Sequence, residues 1–412
     1  MKANLVADFD RVALVLQGGG ALGSYQAGVF QGLYQADIHP NWISGISIGA
    51  LNTAIIAGNP RRRRLERLYE FWQYISQPNL GVNLMPMFED FLYKSNDFTR
   101  AGLDAWGGFS ALTDGQKGFF SPRLFPALTV GSDDPRKASF YHTDQLKATL
   151  EKFCDFDLIN SPQHCGHVSV GAVNVRNSHF VYFDNQHQRL IPEHFMASTA
   201  LPPLFPPVEI DGEFYWDGGV VSNTPLNYVF RTDNGQDTVI FQVDLWSARA
   251  QMPTTILQVY DRIKEIQYAS RTRLVTDLWC ENQDLRFALG QLLENASPEQ
   301  RRQHAKFLAH ATEMANISKF NLIHLIYNSR ELQNQNKDYQ FNPSAIKAHW
   351  DAGLSDIQKT LKCRHFFTKA DNKHGLVVHD VHRNPNIVGK TMAAKENAWE
   401  AGKSSKTIQT ES

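Results

Sequence analysis

The first strong pattern along the chain is an unbroken apolar run, Val12-Ala13-Leu14-Val15-Leu16, which stops at Gln17 and three glycines. A run of that length bounded by glycine reads as a buried strand. Ser24–Ala36 follows with Ala27, Phe30, Leu33 and Tyr34 at helical spacing, which predicts an amphipathic helix. A second short strand is expected over Trp42–Ile46, ending at Ser47. The almost wholly apolar Gly49–Gly58 then reads as a helix central to the fold. His167–Val173, Phe180–Phe183 and Thr238–Leu245 are later strand candidates, and Val208–Tyr215 alternates and turns like a hairpin. Strands alternating with helices predict an α/β layer architecture with a mainly parallel sheet.

Two stretches depart from this rhythm. Between Asn79 and Phe140, Pro, Gly, Phe and Met crowd together, which reads as an insertion over the sheet. Its apolar residues would form a lid or an acyl-chain pocket, or simply pack locally. From Thr255 to about Lys362 the pattern is helical and charged, with Ile256, Val259, Ile263 and Ile266 on one face. After Lys390 the periodicity is lost, as in a disordered tail.

Composition narrows the class. Of 412 residues, 42% are hydrophobic and 20% charged, which fits a globular protein. The formal net charge of −1 gives no support to a nucleic-acid binder, which shows a basic excess. Cys154, Cys165, Cys280 and Cys363 lie far apart with no CxxC pair, so reduced thiols are expected rather than disulfides or a zinc site. Residues 1–10 show no basic segment leading into an apolar run, and no stretch of about 20 uncharged apolar residues exists. The expectation is a cytoplasmic protein without a transmembrane segment that meets lipid from its surface. Export without a cleaved signal peptide stays open.

The chemistry centres on Gly45-Ile46-Ser47-Ile48-Gly49, a G-x-S-x-G pattern between an apolar strand and an apolar helix. A serine on such a turn projects its Oγ away from the backbone, and small residues two positions either side let the turn close. The helix N-terminus adds partial positive charge beside a developing anion. A base is offered by Asp217-Gly218-Gly219, where the glycines let the carboxylate approach another backbone. Gly18-Gly19-Gly20-Ala21-Leu22-Gly23 is ambiguous by itself, because it suits either a nucleotide's phosphates or an oxyanion.

Three blocks in this order, the glycine loop, Ser47 in its elbow and Asp217 before two glycines, resemble the patatin-like phospholipases. Ala197–Pro207 looks like the segment that this family carries before its aspartate, and the likeness spans about Val12 to Phe230. His324-Leu325-Ile326-Tyr327 and His349–Gly353 look like the extension of one bacterial subgroup. The resemblance implies a three-layer α/β/α sandwich and a Ser–Asp dyad with no histidine. Ser47 would be the nucleophile and Asp217 the proton acceptor, with backbone N–H groups of residues 18–23 as the oxyanion hole. Neither metal nor cofactor is implied, and the substrate would be a phospholipid or lysophospholipid acyl ester. The expected organisation is a catalytic domain over 12–230 with a lid or insertion at 79–140. A last sheet strand and connection follow over 231–254, then a helical extension over 255–365 and a disordered tail over 390–412. Many relatives carry Arg or Lys where this chain has Leu22, which bears on headgroup preference rather than on hydrolysis.

Other readings compete. Gly18-x-Gly20-x-x-Gly23 satisfies a dinucleotide-binding fingerprint, yet Asp37 precedes the second strand instead of ending it. An α/β-hydrolase triad would draw on His304, His310, His324, His374 or His379, which lie in polar, mostly helical surroundings. A carboxylesterase for non-phospholipid esters and a non-catalytic lipid-binding or regulatory protein are the remaining alternatives. Arg61-Arg62-Arg63-Arg64 reads as a solvated helix start after Pro60, or as a patch for anionic lipid.

Overall fold

The computed structural model describes residues 5–77, 115–124, 133–232, 235–315, 317–328, 337–370 and 374–380. Most of the expected insertion at 79–140 and all of the expected tail at 390–412 lie outside them. In chain order the strands among these residues are β1 (Arg11–Leu16), β2 (Trp42–Gly45), β3 (Ser121–Pro122), β4 (Tyr141–His142), β5 (His167–Asn174), β6 (Phe180–Asp184), β7 (Val208–Ile210), β8 (Glu213–Asp217), β9 (Thr238–Asp244), β10 (Phe320–Ile326) and β11 (Leu376–Asp380). Nine of them form one sheet in the order β11-β10-β9-β1-β2-β5-β8-β7, with β6 also paired to β5; β3 and β4 form a separate pair.

The centre of the sheet is parallel. β1 runs beside β2 with Leu14 opposite Ile43, and beside β9 with Leu14 opposite Phe241. β2 continues parallel to β5, while β6 and β8 join β5 antiparallel. β7 and β8 form the expected hairpin, turning at Asp211 and Gly212, both at positive φ. All six residues of β1 and all seven of β9 are buried, as both-face coverage of a parallel sheet requires. On one face Ala13, Val15, Trp42, Ile240 and Leu322 pack against Leu226, Val229 and Phe230 of the helix Leu226–Arg231. On the other, Leu14, Leu16, Ile43 and Phe241 are equally inaccessible. The result is the helix–sheet–helix layering expected of the α/β fold.

One expectation needs correcting. The segment 231–254 does contribute β9, but β9 is not the last strand: β10 and β11 extend the sheet beyond it from the region read as purely helical. Phe320–Ile326 is a seven-residue apolar run interrupted by Asn321 and His324. Local periodicity does not separate such a run from a buried helical turn, and its partner β9 lies far back in sequence. The helical part of that region comprises the 39-residue helix Ile256–Glu294, two short helices at Pro298–Gln303 and Ala305–Met314, and the helix Pro343–Thr360. Pro343–Thr360 lies on the helix Gly23–Gln35, where Gly28 and Gly353 let the two backbones close up. Among the described residues no helix is long and apolar enough to cross a membrane. Of the four arginines after Pro60, three are exposed; Arg64 is buried, its guanidinium bonded to the carbonyls of Asn59 and His164.

Candidate active site

β1 has β2 on one side and β9 on the other, so successive connections leave it in opposite directions. Crevices beyond the carboxyl ends of strands at such a switch point are where open α/β sheets bind ligands. Here the glycine loop leaves β1 and Ser47 leaves β2 at that end, and Asp217 closes β8.

Ser47 sits at φ 56°, ψ −128°, a sparsely populated backbone conformation that costs on the order of 1–3 kcal/mol for a residue with a side chain. Several bonds hold it there. Its N–H donates to both the carbonyl (3.1 Å) and the hydroxyl (3.2 Å) of Ser198, and its carbonyl accepts from Ala50 N at 2.8 Å. The Ser198 hydroxyl in turn donates to the Gly171 carbonyl at 2.7 Å, tying the elbow to β5. The flanking glycines are a steric requirement. A Cβ on Gly45 would stand 2.3 Å from the Gly49 carbonyl oxygen, and one on Gly49 2.3 Å from that of Leu16. Within the elbow, Gly45, Ile46, Ile48 and Gly49 are buried and Ser47 alone is partly open. Ser47 also caps the ten-residue helix Ile48–Ala57, whose positive end it shares.

Asp217 is 1% exposed. Burial pushes its carboxyl up to about 7, against a smaller downward pull from the Ser47 side chain and from Gly219 N–H, which donates to Oδ1 at 2.7 Å. Oδ2 is buried and makes no hydrogen bond. Burial outweighs both pulls, so the carboxyl keeps its proton to much higher pH than an exposed aspartate does.

The glycine loop divides in two. Gly18, Gly19 and Gly20 line the same cavity as Ser47 and Asp217, whereas Ala21 and Leu22 are wholly buried and Gly23 packs on Ile48 and Trp72. A side chain at position 22 therefore points into the core. The Gly18 carbonyl accepts from Asn223 Nδ2 and from Trp246 Nε1, each at 2.8 Å. Because the peptide unit is planar and trans, pinning that carbonyl aims the Gly19 N–H the opposite way. Gly18 lies so near the elbow that a Cβ there would stand 2.9 Å from Ser47 Cβ. Gly219 lines the cavity; Gly218 packs behind it, against the Gly171 carbonyl and Ile46.

The rest of the lining is of two kinds. Phe119, Phe120, Leu201, Leu204, Phe205 and Phe341 make an apolar wall. Trp246, Lys264, Tyr268, Asp338 and Tyr339 make a polar and aromatic one, in which Lys264 is ion-paired with Asp338 and lies over the Trp246 and Tyr339 rings. The cavity has a volume of about 60 Å³. Among the described residues no histidine lines it, and no three His, Cys, Asp or Glu side chains gather so as to hold a metal ion.

Sequence alone assigns no role to Asn223, Trp246 or Lys264, and marks Ser198 only as part of Ala197–Pro207. Each acts across the fold on a backbone atom or ring, and Asn223 stands four residues past Gly219.

The family described as Patatin-like phospholipase matches residues 14–230, and one described as Patatin phospholipase matches residues 266–373. No curated protein sequence matches the chain. Among solved structures, VipD from Legionella pneumophila is similar at 14% identity and a TM-score of 0.36, over 86% of this chain and 67% of that one. Human GIVD cytosolic phospholipase A2, in complex with methyl gamma-linolenyl fluorophosphonate, is similar at 12% identity and a TM-score of 0.32. That likeness spans 89% of this chain and 61% of the human one. The first family match alone takes in more than half of the chain, from inside β1 through the glycine loop, the serine elbow and the aspartate; the protein belongs to the patatin-like phospholipase family.

Proposed function

We propose that this lipid acyl hydrolase works through a Ser–Asp dyad, with Ser47 as nucleophile, Asp217 as proton acceptor and a fatty-acyl ester of a phospholipid or lysophospholipid as substrate. One observation carries the reading: a strained serine at a helix N-terminus approaches a buried carboxyl whose pKa is pushed up to about 7. A carboxylate of ordinary pKa is a poor base at neutral pH, and a pKa near the working pH is what general-base catalysis favours. The absence of histidine from the cavity lining supports the dyad over a triad.

In this mechanism Asp217 takes the proton of the Ser47 hydroxyl as Oγ attacks the ester carbonyl carbon. The negative charge moves to the carbonyl oxygen, where the N–H groups of Gly19 and Gly20 receive it. Collapse of the tetrahedral intermediate breaks the bond to the alcohol, which leaves with the proton held on Asp217. The ionised Asp217 then draws a proton from water as that water attacks the Ser47 acyl ester; the second tetrahedral intermediate breaks its bond to Ser47 Oγ, which takes that proton back from Asp217, and the free fatty acid departs. The apolar wall from Phe119 to Phe341 suits an acyl chain. A missing oxyanion donor typically costs about 2.7–4 kcal/mol of barrier.

A second reading, a carboxylesterase for smaller acyl esters, is favoured by the cavity volume of about 60 Å³, which is too small for a long acyl chain as it stands. The deciding experiment is turnover on phospholipids, lysophospholipids and p-nitrophenyl esters of graded chain length. Ser47→Ala should lose at least about 10⁴-fold in kcat/KM on whichever substrates the wild type cleaves. Equal low activity of wild type and Ser47→Ala across the panel would leave the non-catalytic reading standing.

A further inference from the structure

The two walls of the cavity differ in charge as well as in polarity. On the helix Ile256–Glu294, Lys264 and Tyr268 stand four residues apart and so share a face, which continues into the buried Thr272 and Thr276. Among the described residues Lys264 is the one cationic side chain that lines the cavity. Its ammonium stands 5.2 Å from the centre of the Trp246 ring and 5.1 Å from that of Tyr339, and it pairs with Asp338. Two of these neighbours reach the glycine loop. Trp246 holds the Gly18 carbonyl, and a Cβ on Gly20 would stand 2.2 Å from the Asp338 carbonyl oxygen. The cation is therefore held beside the loop proposed to receive the ester oxygen, while the clustered rings of Phe119, Phe120 and Phe205 offer an acyl chain a wall of its own.

Charge and geometry select what this lysine can read. Its side chain is 28% exposed against 10% for Asp338, so the pair presents its positive member. Asp338 accepts one of the three ammonium N–H groups, which leaves two to donate. A quaternary ammonium would need the ring faces that Lys264 already covers, and would be repelled by its charge. An anionic oxygen would instead meet donors already held in place, so that little side-chain freedom is lost on binding.

Resting on the hydrolase reading above, we infer that Lys264 sets substrate preference by binding a phosphate on the alcohol arm of the ester, the glycerophosphate part of a phospholipid or lysophospholipid. The acyl chain then takes the apolar wall, the ester oxygen the N–H groups of Gly19 and Gly20, and the phosphate the Lys264 ammonium. The C-terminal region thereby reads the headgroup.

The test compares two substrates with one acyl chain, decanoyl lysophosphatidic acid and monodecanoylglycerol, each below its aggregation threshold. Both give the same acyl-enzyme, so the ratio of their kcat/KM values isolates the alcohol arm. Lys264→Gln should cut the preference for the phosphate substrate about tenfold or more, the worth of one charge-assisted hydrogen bond. Asp338→Asn removes the competing carboxylate and should hold or raise that preference. Both changes break the same ion pair, so a lysine that only braced the glycine loop would make them act alike. A wild type that prefers the neutral ester overturns the inference. So does a fall of less than about fivefold in Lys264→Gln, or a fall of that size in Asp338→Asn as well. A preference that holds while inorganic phosphate inhibits only the wild type assigns the lysine to a free anion, and overturns the headgroup role. Should the wild type cleave neither ester, the hydrolase reading fails by itself, and calorimetry of decanoyl lysophosphatidic acid on Ser47→Ala reads the subsite alone. Adding Lys264→Gln must weaken that binding by about fivefold or more, or the subsite fails too.

Discussion

On the proposed mechanism the Asp217 carboxyl links reaction rate to stability, and the two respond to pH in opposite directions. Its folded pKa of about 7 lies above the ordinary 3.8, so between those values the folded chain binds more protons than the unfolded one. This group's stabilising share is whole below about pH 4, declines as the pH rises towards 7 and stays lost above it, by up to about 4 kcal/mol. The base form needed for catalysis grows over that same rise. In kcat/KM, we expect a tenfold increase per pH unit below about 7 and a plateau above. Asp217→Asn should lose about 10³–10⁴-fold in activity, by analogy with other removed catalytic carboxylates. Urea unfolding should show it gaining on the wild type in stability from pH 4 to pH 8; a gap that ignores pH would mean that the carboxyl is not held neutral. Asn223 acts at one remove. With Trp246 it fixes the Gly18 carbonyl, and thus the aim of the Gly19 N–H. Asn223→Ala should lower kcat about 10–100-fold with KM nearly unchanged, since the contact orients an oxyanion donor rather than the ground-state ester.

Between β2 and the helix Ile48–Ala57 the chain turns in so little room that the elbow is specified by what it excludes. Gly49→Ala puts a methyl 2.3 Å from the Leu16 carbonyl oxygen, backbone that cannot move without disturbing β1. Thermal unfolding should register a loss on the order of 2–4 kcal/mol, with esterase activity falling along with it. This element was legible because its reason is local: a glycine two positions either side of a serine, between two apolar runs, describes one turn. The same holds for the hairpin of β7 and β8, where Asp211-Gly212 supplies both left-handed residues. β10 was not legible, because what makes Phe320–Ile326 a strand is a place beside β9 that no neighbouring residue records. The helix Ile256–Glu294 shows a related limit. Ile256, Val259, Ile263 and Ile266 correctly announced a helix, but periodicity cannot say whether the face it marks is covered. Within Ala197–Pro207 the role of Ser198 was not legible for a further reason, since serine is common and its hydrogen bonds with Ser47 N and Gly171 O depend wholly on the assembled fold.

The whole molecule is more interlocked than its sequence motifs suggest. The residues proposed to do chemistry all precede residue 220, yet Lys264, Tyr268, Asp338, Tyr339 and Phe341 complete the cavity from the C-terminal region. A chain ended at Thr254 keeps Ser47, Asp217 and the glycine loop but strips β10 from β9. It also removes the helix Pro343–Thr360 from the helix Gly23–Gln35. We expect such a chain to be largely insoluble, with soluble material below about 1% of full-length turnover on a short ester. Soluble, active fragment would show that the C-terminal region merely decorates the site.

The position of β1 carries this further. Its two neighbours in the sheet, β2 and β9, fall on either side of the point where the family match ends at residue 230. The first family match thus holds only one of the two strands that flank β1, and the second match begins beyond β9, at residue 266. Recombination breaking the gene between the codons for Phe230 and Thr238 would leave the middle strand of the ancestral sheet as a raw, fully apolar edge, and selection would discard the product. The C-terminal region, itself matched by a family over residues 266–373, is on this reasoning bound to travel with Ser47 and Asp217.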